Sequence, residues 1–447
     1  MKTEPEINVG ILSSAKVKFA LYGDYKIKDE ISEFRGQYTA RIKDGKIQIA
    51  SAEKSYEFDA SVEFSPEHHH SDYFTIYDVP IGIKFHWERK EKQSFRGSIK
   101  FLIKNNELVV INKILIETYL LSVISSEMNA KSGTELLKAH AVISRGWLLA
   151  QIEKSKQLKA KHEKPRSLFE TDDELIRWYD REDHDEFDVC ADDHCQRYQG
   201  IKKIVTDAVK HAVHHTRGMV LYYKDEICDA RFSKSCGGIS EAFENAWENS
   251  PKPYLVPVID SKYEPDDFDL NFKEEKNAVA WINGSPKAFC NTVNKRILAQ
   301  VLLEYDQETT DFYRWKREYT NEELSGLIVK KGGPDFGILK DLIPVERGES
   351  ARLIKLKITG SKKTLTIGKE LEIRRLLSPS HLYSSAFYVE KVGEKDGYPE
   401  KFILHGAGWG HGVGLCQIGA AVMAEMGYNF DEILLHYYRN ATIKTLY

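Results

Sequence analysis

The stretch Glu117–Glu127, ETYLLSVISSE, decides how this chain is read. Tyr119, Leu120, Val123, Ile124 and Glu127 recur at helical spacing and so share one face of a helix. Four of the five are bulky and largely apolar, and the fifth is a carboxylate near the helix C-terminus. There the macrodipole disfavours negative charge, and burial on an apolar stripe acts in the same direction, so both favour the protonated form. A carboxylic acid that keeps its proton near neutral pH can donate it to a glycosidic oxygen. The structural alternative is a glutamate paired with a basic group such as Arg145, or one that caps the turn at Ser132.

Upstream, residues 7 to about 112 read as β structure. Short alternating runs such as Val17-Phe19-Leu21, Tyr38-Ala40-Ile42 and Ile47-Ile49 are separated by turn signals at Gly23-Asp24 and Asp44-Gly45. The triplet His68-His69-His70 lies in a polar loop without partners at ligand spacing and is read as incidental. Downstream, Ser132-Gly-Thr-Glu135 has a capping-box pattern and opens a second helix through Leu136, His140, Ile143 and Trp147. That helix fades into the charged stretch Glu153–Arg166.

A helix is expected near Lys202–His214, β segments at Met219–Tyr223 and Asp229–Phe232, and a polar helical insert at about 268–330. Strands follow at Leu353–Ile358 and Leu365–Ile367, then two last helices, Gln417–Met426 and Phe430–Tyr438, with Gly427 as a stop. The expected fold class is α+β, or mixed α/β. A β-rich part at 1–110 joins a core at 111–447 whose helices surround a cleft.

Composition excludes several functions. Lys plus Arg number 64 and Asp plus Glu 68 in 447 residues, a net charge of −4, which argues against nucleic acid as a partner. Six Cys are too few for a disulfide framework. The most hydrophobic run, Leu108–Ile124, is broken by Asn112, Lys113, Glu117 and Thr118, so no transmembrane helix is expected. The opening MKTEPEINVG has no apolar core of a signal peptide, which leaves a cytoplasmic protein or one that begins after a removed export signal.

Three further constellations carry chemistry. The run His405-Gly-Ala-Gly-Trp-Gly-His-Gly-Val-Gly414 lacks Gly-Lys-Ser/Thr and is no phosphate loop; its glycines let a backbone approach a ligand. Trp409 offers a stacking face and His411 an imidazole, while a purely structural turn is the alternative. His184, Cys190 and Cys195 have the ligand chemistry of a zinc site, with His194 competing as the third ligand and a Cys190–Cys195 disulfide as the rival. Ser235-Cys236-Gly237-Gly238 reads as a tight turn, or as a cysteine nucleophile that would need a neighbouring histidine.

Together these blocks resemble the SpoIID/LytB family, the stage II sporulation protein D and amidase-enhancer group. The likeness is carried by Glu117–Met128, Leu137–Arg145, Phe232–Glu241 with Trp247 and Pro253-Tyr-Leu255, then Gly408–Ala420 and Ile433–Tyr438, in family order. The resemblance implies a lytic transglycosylase acting on peptidoglycan strands stripped of stem peptides, with Glu127 as catalytic acid/base. Asn129 stands where the family's Glu-Met-Pro motif has proline. It further implies Arg145, Ser235, Gly237, Gly238, Trp409, His411 and Gln417 along the glycan cleft, and Zn2+ on His184, Cys190 and Cys195 in preference to His194, with no organic cofactor. A cell-wall amidase is the implied protein partner, and the amidase-enhancer relatives give the competing reading of a non-catalytic modulator. A peptidoglycan substrate places the protein in the cell envelope, outside the cytoplasmic membrane.

Overall fold

The computed structural model describes residues 3–28, 32–82, 88–129, 132–162, 167–178, 184–192, 194–203, 206–302 and 310–447. Helices and strands are mixed, with β structure concentrated at the N-terminal end, as the α+β reading expects. The chain divides into two compact units, Met1–Ile152 with Asp183–Val220 and Lys444–Tyr447, and Glu153–Glu182 with Leu221–Ile443. This corrects the expected division at 110/111. The β-rich part shares one core with the helices that follow it, because the first helix grows directly out of the last strand. Among the described residues no helix is long and apolar enough to cross a membrane.

In the first unit ten strands run from Glu6 to Leu115: β1 (Glu6–Ser14), β2 (Lys16–Ile27), β3 (Glu33–Lys43), β4 (Lys46–Ala50), β5 (Ser55–Phe58), β6 (Ser61–Pro66), β7 (Tyr73–Ile81), β8 (Arg89–Phe95), β9 (Ser98–Lys104) and β10 (Glu107–Leu115). The sheet order is β1-β10-β9-β6-β2-β3-β4-β5, with β7 on β2 and β8 on β7. Alternation in the sequence becomes alternation in burial: in β6, Val62, Phe64 and Pro66 point inward between less buried neighbours. The inward phenylalanines form an aromatic core, with Phe19 and Phe101 ring centres 4.9 Å apart and Phe34 and Phe64 at 5.1 Å.

Asp44-Gly45 makes the expected hairpin turn, both residues at positive φ. Gly23-Asp24 does not turn the chain. β2 runs through it with an irregular register between Leu21 and Tyr25, so the glycine marks a bulge.

Helix α1 (Ile116–Glu127) follows β10 without a loop. Tyr119, Leu120, Val123 and Ile124 are fully buried, and Ser122, Ser125 and Ser126 are buried too, so α1 is enclosed on more than its apolar stripe. Helix α2 (Thr134–Lys161) starts two residues after Ser132, whose hydroxyl donates to the Asn129 carbonyl. Helix α3 (Asp207–His215) occupies the expected region.

The second unit holds a five-stranded sheet in the order Leu168–Glu170, Glu174–Arg177, Thr364–Gly368, Leu353–Gly360, Leu339–Arg347. A three-stranded sheet orders Arg314–Thr320, Tyr398–Ala407 and Phe387–Lys395. The expected helical insert is therefore only partly helical: helices Glu275–Asn283, Lys295–Val301 and Asn321–Lys330 are interrupted by the strand Arg314–Thr320. That strand pairs with Tyr398–Ala407, and this long-range pairing overrides the polar composition of the segment. The Asp229–Phe232 segment is reduced to the two-residue strand Phe232–Ser233, which pairs in parallel with Leu415–Cys416.

Candidate functional site

The residues singled out in the sequence fall into two groups, one in each unit. In the first unit Glu127 is the last residue of α1 and is half-buried. Its Oε1 accepts the backbone N–H of Arg197 at 2.9 Å, and Oε2 has no hydrogen-bond partner among the described residues. Among the described residues the carboxylate is thus held through one oxygen.

Arg145 does not pair with Glu127, nor does it line a cleft. It is fully buried and grips Glu117 through two parallel bonds, Nε to Oε1 at 2.8 Å and Nη2 to Oε2 at 2.6 Å. Nη1 is spent on the carbonyls of Ala141 and Met219. Arg145, expected along the glycan cleft, thus has its donors used inside the fold.

The peptide that holds Glu127 belongs to the loop with the suspected zinc ligands. Val189 and Cys190 add in parallel to the edge of β1, opposite Val9 and Gly10. Phe187 packs against Gly10, where a Cβ would lie 2.5 Å from its ring and push it aside. Past this anchor the chain bends, and His184, Cys190, His194 and Cys195 bring one ligand atom each within 4.8 Å of all the others.

Cys195 Sγ lies 3.5 Å from His184 Nε2 and 3.5 Å from His194 Nδ1, and Cys190 Sγ lies 3.9 Å from His194 Nδ1. A zinc ion at ordinary Zn–S and Zn–N lengths in a tetrahedron requires S···N separations of about 3.6 Å. The donor set and spacing therefore fit zinc, with both histidines in place of one. Cys190 and Cys195 are not joined as a disulfide. The Cys190 thiol is held far below its ordinary range, chiefly by hydrogen bonding from Cys195, then from the two histidines, against the opposing effect of burial.

The loop runs straight from Cys195 into Gln196 and Arg197. Gln196 accepts from the Tyr119 hydroxyl on α1 at 3.2 Å and donates to the Ser144 carbonyl on α2 at 3.3 Å. Tyr198 reaches Asn112 of β10 at 2.7 Å. The metal-type cluster thus sits two residues from the N–H that orients Glu127.

In the second unit the turn Ser235–Gly238 and the glycine-rich run do meet. Ser235 and Trp409 exchange backbone bonds at 3.0 and 2.8 Å, and the Glu241 N–H donates to Gly412 at 2.9 Å. Arg352, fully buried, donates to the carbonyls of Cys236 and Gly410 and ties the two loops together. Gly412, at φ 77°, has Arg352 so close that a Cβ would lie 2.5 Å from the guanidinium.

Ser235, Gly237, Gly238 and Gln417, expected along the glycan cleft, are buried at this junction. Trp409 and His411 stay half-exposed. One face of Trp409 is already covered by Phe312, stacked at 4.9 Å and 6°, with Tyr383 tilted beside it at 5.2 Å. His411 Nδ1 accepts the Val413 N–H at 3.0 Å. Desolvation first, then the charges of Arg231, Arg374 and Arg352, push its pKa well below the usual histidine value, so the ring is neutral with its proton on Nε2. Cys236 is buried with its sulfur 3.7 Å from Cys290 and no imidazole partner among the described residues, so the cysteine-nucleophile reading fails on access and on the missing base.

Comparison with known proteins defines the class. Residues 104–223, which carry α1, Arg145 and the four-ligand loop, match the family described as Stage II sporulation protein. Residues 104–223 thus form a SpoIID-family domain, and the relatives below are similar to the chain beyond it. Residues 241–414 match a domain of unknown function, DUF8618.

Among individual relatives, an uncharacterized protein of Brachyspira hyodysenteriae is 26% identical over 349 residues, 78% of this chain and 72% of the relative. The stage II sporulation protein D of Bacillus subtilis is 24% identical over 335 residues, 74% of this chain and 75% of the relative. The amidase enhancer of Bacillus subtilis is 27% identical over 241 residues, 52% of this chain but 32% of that longer protein.

Proposed function

We propose that the chain is a cell-wall lytic transglycosylase that cuts denuded MurNAc-GlcNAc strands of peptidoglycan with Glu127 as its only acid/base. The observation that supports this is the half-buried carboxylate at the end of α1, oriented through Oε1 by the Arg197 N–H while Oε2 stays available. Glu127 protonates the oxygen linking MurNAc to GlcNAc, the C1–O bond breaks, and positive charge develops at C1. The resulting carboxylate removes the proton from the muramoyl C6 hydroxyl. That oxygen attacks C1 to close a 1,6-anhydro ring, and Glu127 regains its proton. Hydrolytic glycosidases need a second carboxylate for water or as a nucleophile, whereas an internal hydroxyl removes that need.

His184, Cys190, His194 and Cys195 would hold a zinc ion whose part is structural, since a four-ligand set leaves no open position for substrate. Through Cys195 the loop fixes Arg197 and thereby the Glu127 carboxylate. A peptidoglycan substrate places the working protein outside the cytoplasmic membrane.

The test is mass analysis of products from stripped glycan strands with wild type and Glu127→Gln, a change that keeps shape and hydrogen bonding but removes the transferable proton. Wild type should release anhydro-muramoyl ends and the variant almost none. Equal product from both overturns the reading. The amidase-enhancer relative supports a second reading. If wild type binds glycan, yields no anhydro product and accelerates an added cell-wall amidase, the chain is a modulator.

A further inference from the structure

A second cluster of soft ligands lies in the second unit, assembled from four separate segments. Cys236 comes from the Ser235–Gly238 turn, and Cys416 is the N-cap of the helix Gln417–Glu425. Asp260 and Cys290 come from the loops between them. All four residues are buried, and one donor atom of each lies within 4.8 Å of all the others. We infer that Cys236, Cys290, Cys416 and Asp260 form a second metal centre, taking a zinc ion through three thiolate sulfurs and one carboxylate oxygen.

Geometry and charge both support the assignment. Two thiolates on one tetrahedral zinc stand about 3.8 Å apart, whereas a disulfide brings them to about 2.05 Å. Cys236 and Cys290 are 3.7 Å apart, and all three thiols are free. Three sulfurs with one carboxylate select zinc over the hard cations, which take oxygen ligands.

Asp260 is a fully buried carboxylate without a Lys, Arg or His partner among the described residues. Its Oδ2 accepts the Cys290 N–H at 2.8 Å and its Oδ1 the Tyr437 hydroxyl at 2.5 Å, the kind of outer support that aims a metal-binding carboxylate. Gly419 leaves room for it, since a Cβ there would lie 2.4 Å from Oδ1. The Cys236 N–H points at Cys416 Sγ, 3.2 Å away.

Buried anionic ligands need countercharge beyond the metal. Two guanidiniums supply it: Arg352 donates to the Cys236 carbonyl and Arg314 to the Gly237 carbonyl, each at 3.0 Å. Arg314 spends its other bonds on carbonyls as well. On binding, the thiols release their protons to solvent and no redox change is involved. The ion would rivet the turn at Ser235 and the end of the glycine-rich run onto the C-terminal helices.

The experiment counts zinc per intact chain by native mass spectrometry and elemental analysis, with wild type, Cys190→Ser and Cys290→Ser side by side. Two zinc ions in wild type, falling to one in each variant, support the centre. One zinc in wild type that disappears in Cys290→Ser supports it as well, and counts against the loop site instead. If Cys290→Ser does not fold, zinc X-ray absorption on wild type decides: a shell richer in sulfur than two per zinc supports the centre. A single zinc with two sulfurs and two nitrogens, an undiminished zinc count in folded Cys290→Ser, or a Cys236–Cys290 disulfide in the wild-type peptide map overturns it.

Discussion

Replacing Arg145 with methionine separates a structural from a substrate-binding role for this residue. The guanidinium is 0% exposed and makes two parallel bonds to Glu117, itself 11% exposed. Methionine fills similar volume but leaves the Glu117 carboxylate, among the described residues, with the Gly218 N–H and the Tyr447 hydroxyl as donors and the Arg217 charge nearby. Stranding one partner of a buried pair costs about 3–5 kcal/mol. For a unit of roughly 190 residues, each kcal/mol lowers Tm by about 2–4 °C, so a fall on the order of 10 °C is expected.

Differential scanning calorimetry reads this directly on the transition of the first unit. Adding Glu117→Gln to Arg145→Met removes the stranded charge and should restore a substantial part of the loss. A Tm within about 2 °C of wild type, roughly the effect of under 1 kcal/mol, refutes the reasoning. So does a variant that folds normally but loses glycan binding, which would return Arg145 to the cleft.

Glu127→Gln should lower the rate of glycan cleavage by about 10²- to 10⁴-fold, the usual contribution of a general acid, with Tm unchanged; a comparable fall in Tm would mean that Glu127 is structural. Chelation of zinc, or Cys195→Ser, should speed amide exchange in the peptide that contains Arg197 and lower turnover in parallel; unchanged exchange with a lost metal breaks the link between loop and carboxylate. His411 is driven well below its ordinary pKa, and His381 and His436 down to about 4, in each case chiefly by burial. Because the unfolded chain takes up protons near pH 6.5 and these folded rings do not, their stabilisation is present above pH 6.5 and is lost as the pH falls toward 4. His381 and His436 should each cost about 1 kcal/mol by pH 5, allowing for partial exposure. A Tm of the second unit that stays flat or rises from pH 7 to pH 5 contradicts this.

What the sequence reveals here follows the range of the interactions. The period of ETYLLSVISSE places α1 and puts Glu127 at its end, and Asp44-Gly45 gives the hairpin, because both signals are local. Gly23-Asp24 carries the same turn chemistry but lies in a strand held on both sides by long-range pairing. Arg145 and Glu117 are distant in sequence, and nothing in their spacing says that they will meet rather than Arg145 and Glu127. The four donors of the loop lie within twelve positions and are nearly readable as a set; His194 competes with His184 only until the fold shows room for both. Cys236, Asp260, Cys290 and Cys416 come from four elements, so only the tertiary structure groups them.

The parallel pairing of Val189 and Cys190 with Val9 and Gly10 has a consequence outside catalysis. Those two residues cover the free margin of β1, where Asn8 and Gly10 also satisfy Asp188 and Ala191. Were the loop to come loose on demetallation, β1 would present unsatisfied peptide groups to its surroundings, an invitation to intermolecular strand addition. Metal-stripped protein should therefore self-associate before it unfolds, and zinc would act as a guard against aggregation.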